Sequence, residues 1–584
     1  MPHNTNNLPV ELFHDNFSKM LPPRRAWRRG NRESRHNLSA EEITINSIMR
    51  EISAALAEGR LETETWGKNL LEFHNCLQRM VAQGNFTFEP PMLHLIRKNQ
   101  GRIATKTDEA EKCESYRCLA TFAKLNDRVI IGKTAMYLRD AFDPLLLNCC
   151  YAFRRDGRAF SFHSAVRQLI EYRIKFKDRT LYVADCDIQK FFDSINHQIV
   201  LTTYDDFVRR FAEHAGNGET IDGRARKVLE AYLAVYSFPR NLEDCKDVEI
   251  AGRRNFVERL PENVLSELYA HEDIAEMQLG LPQGGALSPL LANLVLDAVD
   301  KAVLDGADNN LFYARFCDDT IIIHPQKQKC EEALERYLAA VKKLLLPVHK
   351  LVKSPKYTSD LFKLKSKGPI AWKPTAPGFR GSPWVSFLGH QIRYDGEVRI
   401  RKETIEKHKE RLQSERTFLK RMLKKAKGKF RAGYEWKDLF DAFELRIIAM
   451  GVGKVGHDME SRESRSWLSI FKDMIKANFR PVEVQMKNLD RTCAKVLAQT
   501  RRMLKGACKD GDNAAAQTME SIEPSMEQKD PTDNNHKNSV DRKPFLGAPF
   551  SYYGSMHDFH RQHYWKRNGN CKERGDGFNG YGDL

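Results

Sequence analysis

At 584 residues, with 41% hydrophobic and 10% aromatic content, the chain is long enough to bury cores in more than one structural unit. Its formal charge of +16 and pI near 9.2 point to a polyanionic partner, nucleic acid first, rather than to a basic surface kept only for solubility. Twelve cysteines without one Cys-x-x-Cys pair argue against a zinc ribbon and a disulfide framework, and no apolar run reaches membrane-spanning length. With no signal-peptide apolar region at the start, a soluble, cytoplasmic protein with reduced thiols and no membrane partner is expected.

Residues 1–85 read as a basic, helical extension. Arg24, Arg25, Arg28, Arg29, Arg32 and Arg35 surround Trp27 in an arm that either stays solvated or touches RNA. A helix is expected from about Ser39, where Ser39 and Glu42 have capping-box spacing, and a second over about 65–82 that stops at Gly84. Residues 86–180 mix short strands and helices, and 181–400 alternate strand-like and helix-like runs. From 401 to 507 the pattern is helical, with Ile405, Leu412, Phe418, Leu419, Met422 and Leu423 in a rough apolar stripe. Twelve Lys or Arg against four Glu over 401–430 favour a phosphate-tracking face over a merely solvated one. Residues 508–542 have almost no large apolar groups and read as a flexible linker. The tail, 543–584, interleaves Phe545, Phe550, Tyr552, Tyr553, Phe559, Tyr564 and Trp565 with Arg561, Lys566 and Arg567. It reads as docking on the body of the protein in preference to stacking on a single strand.

Three segments carry chemistry. In LYVADCDIQKFFDSINH, Tyr182, Ala184, Cys186 and Ile188 alternate with Asp185 and Asp187. A strand ending in a carboxylate before a helix near Asp193–Ser194 suits a metal ligand. LFYARFCDDTIIIHP reads as a hairpin with Asp318 and Asp319 at its tip. Adjacent carboxylates between apolar strands repel one another unless a hard cation compensates, Mg²⁺ above all. Between them, QLGLPQGGALSPLLANLVLDAVDKAV has glycines at 280, 284 and 285 that allow close backbone approach. Ser288 is expected to cap the helix that follows, with Pro289 in its first turn and Leu290, Leu291, Leu294, Val295 and Ala298 facing the core. Cys186 and Cys317 read as small packing residues.

In order and spacing these segments resemble the palm motifs of reverse transcriptases, especially bacterial ones related to group II intron proteins. Asp187–Asp193 is similar to Asp-Ile-x-x-Phe-Phe-Asp, Pro282–Asn293 to Pro-Gln-Gly-Gly-x-x-Ser-Pro-Leu-Leu-Ala-Asn, and Phe316-Cys317-Asp318-Asp319 to Tyr-Ala-Asp-Asp. The run at 116–146 resembles the fingers segment, Tyr151–Arg154 with Ala165-Val166 the Gly-Phe-Arg stretch, and Phe387–His390 the primer-grip turn. Trp467, Phe471 and Leu489-Asp490 are similar to thumb segments.

The resemblance implies an α+β, right-hand polymerase: fingers (86–180), a palm of antiparallel sheet plus helices (181–400) and an α-helical thumb (401–507). It implies an RNA-directed DNA polymerase using two Mg²⁺ ions, with Mn²⁺ as a substitute. Asp187, Asp318 and the Ile188 carbonyl are the implied metal ligands, with Asp319 a weaker one. Arg117 would neutralise the incoming triphosphate, and Gln283 and Gly284 would line the templating pair. Phe192 would exclude a ribose 2′-hydroxyl, its other reading being core packing. Lys353, with Lys350 as competitor, matches the family's general acid. The implied partners are an RNA template, such as a dedicated non-coding RNA, a DNA product, dNTPs, and a second copy of the chain in a homo-oligomer. The absence of HNH-type paired cysteines and of the retron Val-Thr-Gly leaves the stand-alone bacterial enzymes, many linked to antiphage defence. The rival is a splicing maturase for which polymerisation is secondary.

Overall fold

A computed structural model describes residues 40–97, 115–155, 159–216, 218–238, 249–250, 253–254, 256–257, 277–353, 355, 361–374, 381–425, 436–452 and 480–516. The chain divides into two compact units, one of residues 1–29 and 43–397, the other of residues 30–42 and 398–584. The arginine-rich arm, the Ser39 cap, Trp467, Phe471 and the aromatic tail lie outside the described residues.

Helix α1 (Ala40–Ala57) is followed by α2 (Thr65–Gln83), which buries Gly67, His74, Leu77 and Val81 on one stripe and ends on a left-handed Gly84, as its spacing foretold. Strands β1 (Met92–Arg97) and β2 (Ser115–Thr121) pair antiparallel. Helices α3 (Leu125–Phe142) and α4 (Phe162–Lys175) lead to β3 (Leu181–Cys186), the short α5 (Phe191–Ser194), α6 (His197–Ala215) and α7 (Gly223–Ala234). Asn196 caps α6 by accepting from the amides of Gln198 and Ile199, and Val200, Tyr204, Phe207 and Phe211 form its buried stripe. Two-residue strands follow: β4 (Glu249–Ile250) pairs with β5 (Arg253–Arg254), and β6 (Phe256–Val257) lies parallel to β2.

The central sheet has the order β7 (Phe312–Phe316), β8 (Asp319–His324), β3, β10 (Ser366–Trp372), β9 (Leu351–Val352). Only β9 and β10 run parallel; the other neighbours are antiparallel. Ile321, Ile322 and Ile323 are all fully buried, so this β-branched run is covered on both faces. Helix α9 (Lys327–Lys343) packs on β3 and β8 through Cys330, Ala333, Leu334, Tyr337 and Val341. Against it lies α8 (Ser288–Leu304), apolar almost all round and accordingly buried almost all round. Strands β11 (Trp384–Phe387) and β12 (His390–Arg393) form a hairpin turned by Leu388 and Gly389, both at positive φ. The first unit is thus a mixed α and β body around an antiparallel sheet.

One local expectation is corrected. Leu287, not Ser288, occupies the cap of α8, and no side chain caps it. The Ser288 hydroxyl instead donates to the Pro282 carbonyl at 2.8 Å and meets Tyr232 Oη at 2.7 Å, tying the glycine loop to the helix it precedes.

The second unit holds β13 (Val398–Ile400), α10 (Lys402–Lys425), α11 (Trp436–Val452) and α12 (Arg480–Ala516). Helix α12 buries Val482, Met486, Leu489, Cys493, Val496 and Leu504, a stripe near the seven-residue repeat that suits packing on α10 and α11. Gln485 fixes its start by bonding both the amide and the carbonyl of Ile400, at 2.9 and 2.8 Å. Of the stripe read on α10, Ile405 and Leu412 are buried, but Phe418 and Met422 are about half exposed. Helix α12 also continues to Ala516, into the stretch read as a linker, where three consecutive alanines favour helix. Among the described residues, no helix is long and apolar enough to cross a membrane.

Candidate active site

The register of three strands gathers the carboxylates. Cys186 at the end of β3 pairs with Thr320 of β8, and Phe316 of β7 pairs with Asp319, leaving Cys317 and Asp318 as the hairpin turn. Asp187, one step beyond Cys186, therefore falls beside that turn. The Thr320 hydroxyl donates to the Cys186 carbonyl at 2.7 Å and locks the register. Burial, then the charges of Asp319 and Asp187, push the Asp318 carboxyl up to about 6. Cys317 adopts φ 58°, and its thiol is buried, as is that of Cys186.

Beneath the turn lies a fully buried ion pair. Arg315 Nε donates to Asp300 Oδ1 at 2.7 Å and Nη2 to Oδ2 at 2.6 Å. Tyr313 Oη adds a bond to Asp300 Oδ1 at 2.8 Å. The remaining guanidinium nitrogen donates to the Cys317 carbonyl and to Asn293 Oδ1, each at 3.2 Å, so a buried cation holds the turn's backbone. Sequence reasoning missed this pair; an Arg and an Asp inside otherwise apolar runs were the signal.

Asp187 is held on three sides. Its amide donates to Ser366 Oγ at 3.1 Å, its carbonyl accepts from the His349 amide at 3.0 Å, and its Oδ2 accepts from Lys365 Nζ at 2.7 Å. Ile188 bridges to Val348, but the bonds of that bridge run through the Asp187 carbonyl and the Gln189 amide, so the bridge does not engage the Ile188 carbonyl.

The glycine loop is stitched between two elements. The Leu281 amide donates to the Phe192 carbonyl and the Ala120 amide to the Gln283 carbonyl, both at 2.7 Å. Gln283 Nε2 donates to Asp193 Oδ1 at 3.0 Å. Gly284 has φ 115°, and a Cβ there would lie 2.6 Å from the Ala120 carbonyl oxygen. The structure thereby seats Gln283 and Gly284 against β2 and ties the same loop to Phe192 through Leu281. Arg117 lies on β2, three residues before Ala120; its side chain is outside the described residues.

Lys353 lies at the end of the edge strand β9, with β10 between it and β3. It sits beside Gly368, whose added Cβ would lie 2.8 Å from the Lys353 carbonyl oxygen. The lysine bonded to a carboxylate of the site is Lys365. Its neighbour Lys367 pairs with Asp185 at 2.7 Å, so Lys365-Ser366-Lys367 lies rung for rung against Asp185-Cys186-Asp187. A register shift between Lys367 and Ile370, at Gly368-Pro369, makes that match. Elsewhere, Phe316 lies 6.4 Å from Phe153 and 6.3 Å from Phe162, and Phe162 lies 6.4 Å from His390 beside the Leu388-Gly389 turn. Arg154 is committed to structure, bonded to Asp143 Oδ1 at 2.8 Å.

The donors are hard carboxylate oxygens with a neighbouring carbonyl, and their mutual repulsion is visible at Asp318; this chemistry fits Mg²⁺ or Mn²⁺. Among the described residues, no group of three or more His, Cys, Asp or Glu side chains is spaced so that it could hold a metal ion.

Residues 255–392 match the family model described as reverse transcriptase (RNA-dependent DNA polymerase). The match takes in the glycine loop, the Asp318-Asp319 hairpin and Lys365, and begins after Asp187. No curated protein matches the sequence. Among solved structures, apo telomerase from Candida tropicalis is similar at 10% identity over 74% of this chain and 68% of that one, with a TM-score of 0.35. Telomerase from Candida albicans in complex with a TWJ fragment of telomeric RNA is similar at 10% identity over 73% and 65%, with a TM-score of 0.30. With its reverse transcriptase domain, the chain is an RNA-directed DNA polymerase, a nucleotidyltransferase.

Proposed function

We propose that this enzyme extends a 3′-hydroxyl with dNTPs on an RNA template, using two Mg²⁺ ions held by Asp187, Asp318 and the Ile188 carbonyl, with Asp319 beside them. The observation that carries the reading is the strand register that sets three carboxylates at one end of the sheet, where burial, then the charges of Asp319 and Asp187, push Asp318 up to about 6. When bound, the ions ease deprotonation of the hydroxyl and neutralise charge on the transferred phosphoryl group; Mn²⁺ would substitute.

The chain's own part is positioning. Gln283, held by Asp193, and Gly284, seated on β2, line the templating pair. Arg117, on that strand, meets the triphosphate. Phe192, whose carbonyl anchors the glycine loop, sets its ring against a ribose 2′-hydroxyl. In this reading residues 86–180 are fingers, 181–400 palm and 401–507 thumb. The one-sided charge of α10, with Phe418 and Met422 exposed among its lysines and arginines, tracks the duplex backbone.

We assign the enzyme to the stand-alone bacterial group acting in the cytoplasm on a dedicated non-coding RNA in antiphage defence. That assignment rests on the motif pattern of the sequence and on the basic charge. Primer extension with dNTPs and NTPs in parallel tests the chemistry: wild type is expected to prefer dNTPs, and Phe192→Ala to relax that preference by about tenfold or more. An unchanged ratio in Phe192→Ala would return Phe192 to core packing. Sequencing of co-purifying nucleic acid tests the template; a single recurrent RNA with its complementary DNA is expected, and a random RNA population would count against it.

A further inference from the structure

Lys365 has no part in the reading above, yet it bonds the very oxygen that reading gives to a metal. Its Nζ lies 2.7 Å from Asp187 Oδ2, and its charge also faces Asp318 and Asp319. Two residues along, Lys367 makes the same bond to Asp185 at 2.7 Å but is anchored differently. Lys367 has a side chain only 12% exposed and donates a second bond to the Leu364 carbonyl at 2.9 Å. The side chain of Lys365 is 65% exposed. The Asp187 side chain is itself only 14% exposed, so the difference lies in the lysines. Lys365 makes one bond from a solvent-facing side chain, whereas Lys367 is largely buried and bonded twice.

An ammonium and a divalent cation brought to one carboxylate repel each other, so each weakens the other's hold on Asp187. Resting on the metal reading of the site, we propose that Lys365 is a displaceable counter-cation of Asp187, which competes with a divalent ion for that carboxylate and leaves Oδ2 when the ion binds. The bulge at Gly368-Pro369 sets Lys365 on that rung, so the competition is built into the register of β10. Lys365 in this role sets the affinity for the ion; it does not hold the fold.

Mn²⁺ binding to the full chain, followed by electron paramagnetic resonance without primer or nucleotide, tests the proposal. Lys365→Gln is expected to bind Mn²⁺ about three- to tenfold more tightly than wild type, and Lys365→Arg, which keeps the charge, within about twofold of it. Acetylation of Lys365, read by mass spectrometry, is expected to quicken when Mg²⁺ is added, while that of Lys367 stays constant. That second readout separates displacement from simple charge repulsion. Equal or weaker Mn²⁺ binding by Lys365→Gln, or acetylation of Lys365 indifferent to Mg²⁺, would overturn the proposal. If wild type binds no Mn²⁺, or Asp318→Ala binds it as well as wild type does, the metal reading fails and takes this proposal with it.

Discussion

At the scale of single residues, Asp318 and Arg315 show opposite solutions to burying charge. Asp318 sits among like charges, and its carboxyl is raised from 3.8 to about 6. Between those values the folded protein binds more protons than the unfolded chain, so stability falls as pH rises through this window and stays lowered above it. In EDTA, Asp318→Asn is therefore expected to be more stable than wild type at about pH 7–8 by about 1–3 kcal/mol, with the difference vanishing near pH 4. Urea unfolding of both proteins at the two pH values checks this; a constant difference would show that burial and the neighbouring charges do not raise the Asp318 carboxyl. Arg315 instead has its charge met by Asp300 and its donors used by Asn293 and Cys317. Asp300→Ala leaves a guanidinium buried without its counter-ion and is expected to cost about 3–5 kcal/mol, read from the urea midpoint. Near-wild-type stability would contradict the account of the turn's support.

At the scale of elements, what decides the site is where backbones touch. The loop at Gly284 lies against a carbonyl oxygen of β2, which cannot swing aside as a side chain would. Gly284→Ala is expected to lower kcat/KM for dNTP addition by about a hundredfold, with secondary structure by circular dichroism intact; full activity would mean that the loop does not set the templating geometry. This scale also separates what was legible in the sequence from what was not. The hairpin tip, the end of α2 at Gly84 and the core-facing side of α8 follow from local pattern, since turn acids, glycine and apolar spacing act within a few residues. The lysine at Asp187 does not. Lys353 and its competitor Lys350 match the family's lysine only at a spacing that departs from the usual pattern, and the bulge in β10 and the pairing of β10 with β3 bring up Lys365. Likewise Ser288 has a capping residue's chemistry, but Pro282 and Tyr232 claim its hydroxyl. Phe418 and Met422 fit a helical stripe and yet remain about half exposed, because the stripe buries only Ile405 and Leu412 completely.

At the scale of the whole molecule, a charge of +16 makes binding to a nucleic acid strongly dependent on salt. Affinity for an RNA–DNA duplex is expected to fall about a thousandfold between about 50 and 200 mM salt, read by fluorescence anisotropy; a nearly flat response would remove the electrostatic argument for the partner. The central claim is narrower than the charge: three carboxylates gathered by strand register perform the transfer. Primer extension on an RNA template with dNTPs and Mg²⁺, comparing wild type with Asp318→Ala, tests it most directly. Elongation by wild type is expected, with a loss of about a thousandfold or more in the variant and template affinity within about threefold. Equal elongation by Asp318→Ala would contradict it.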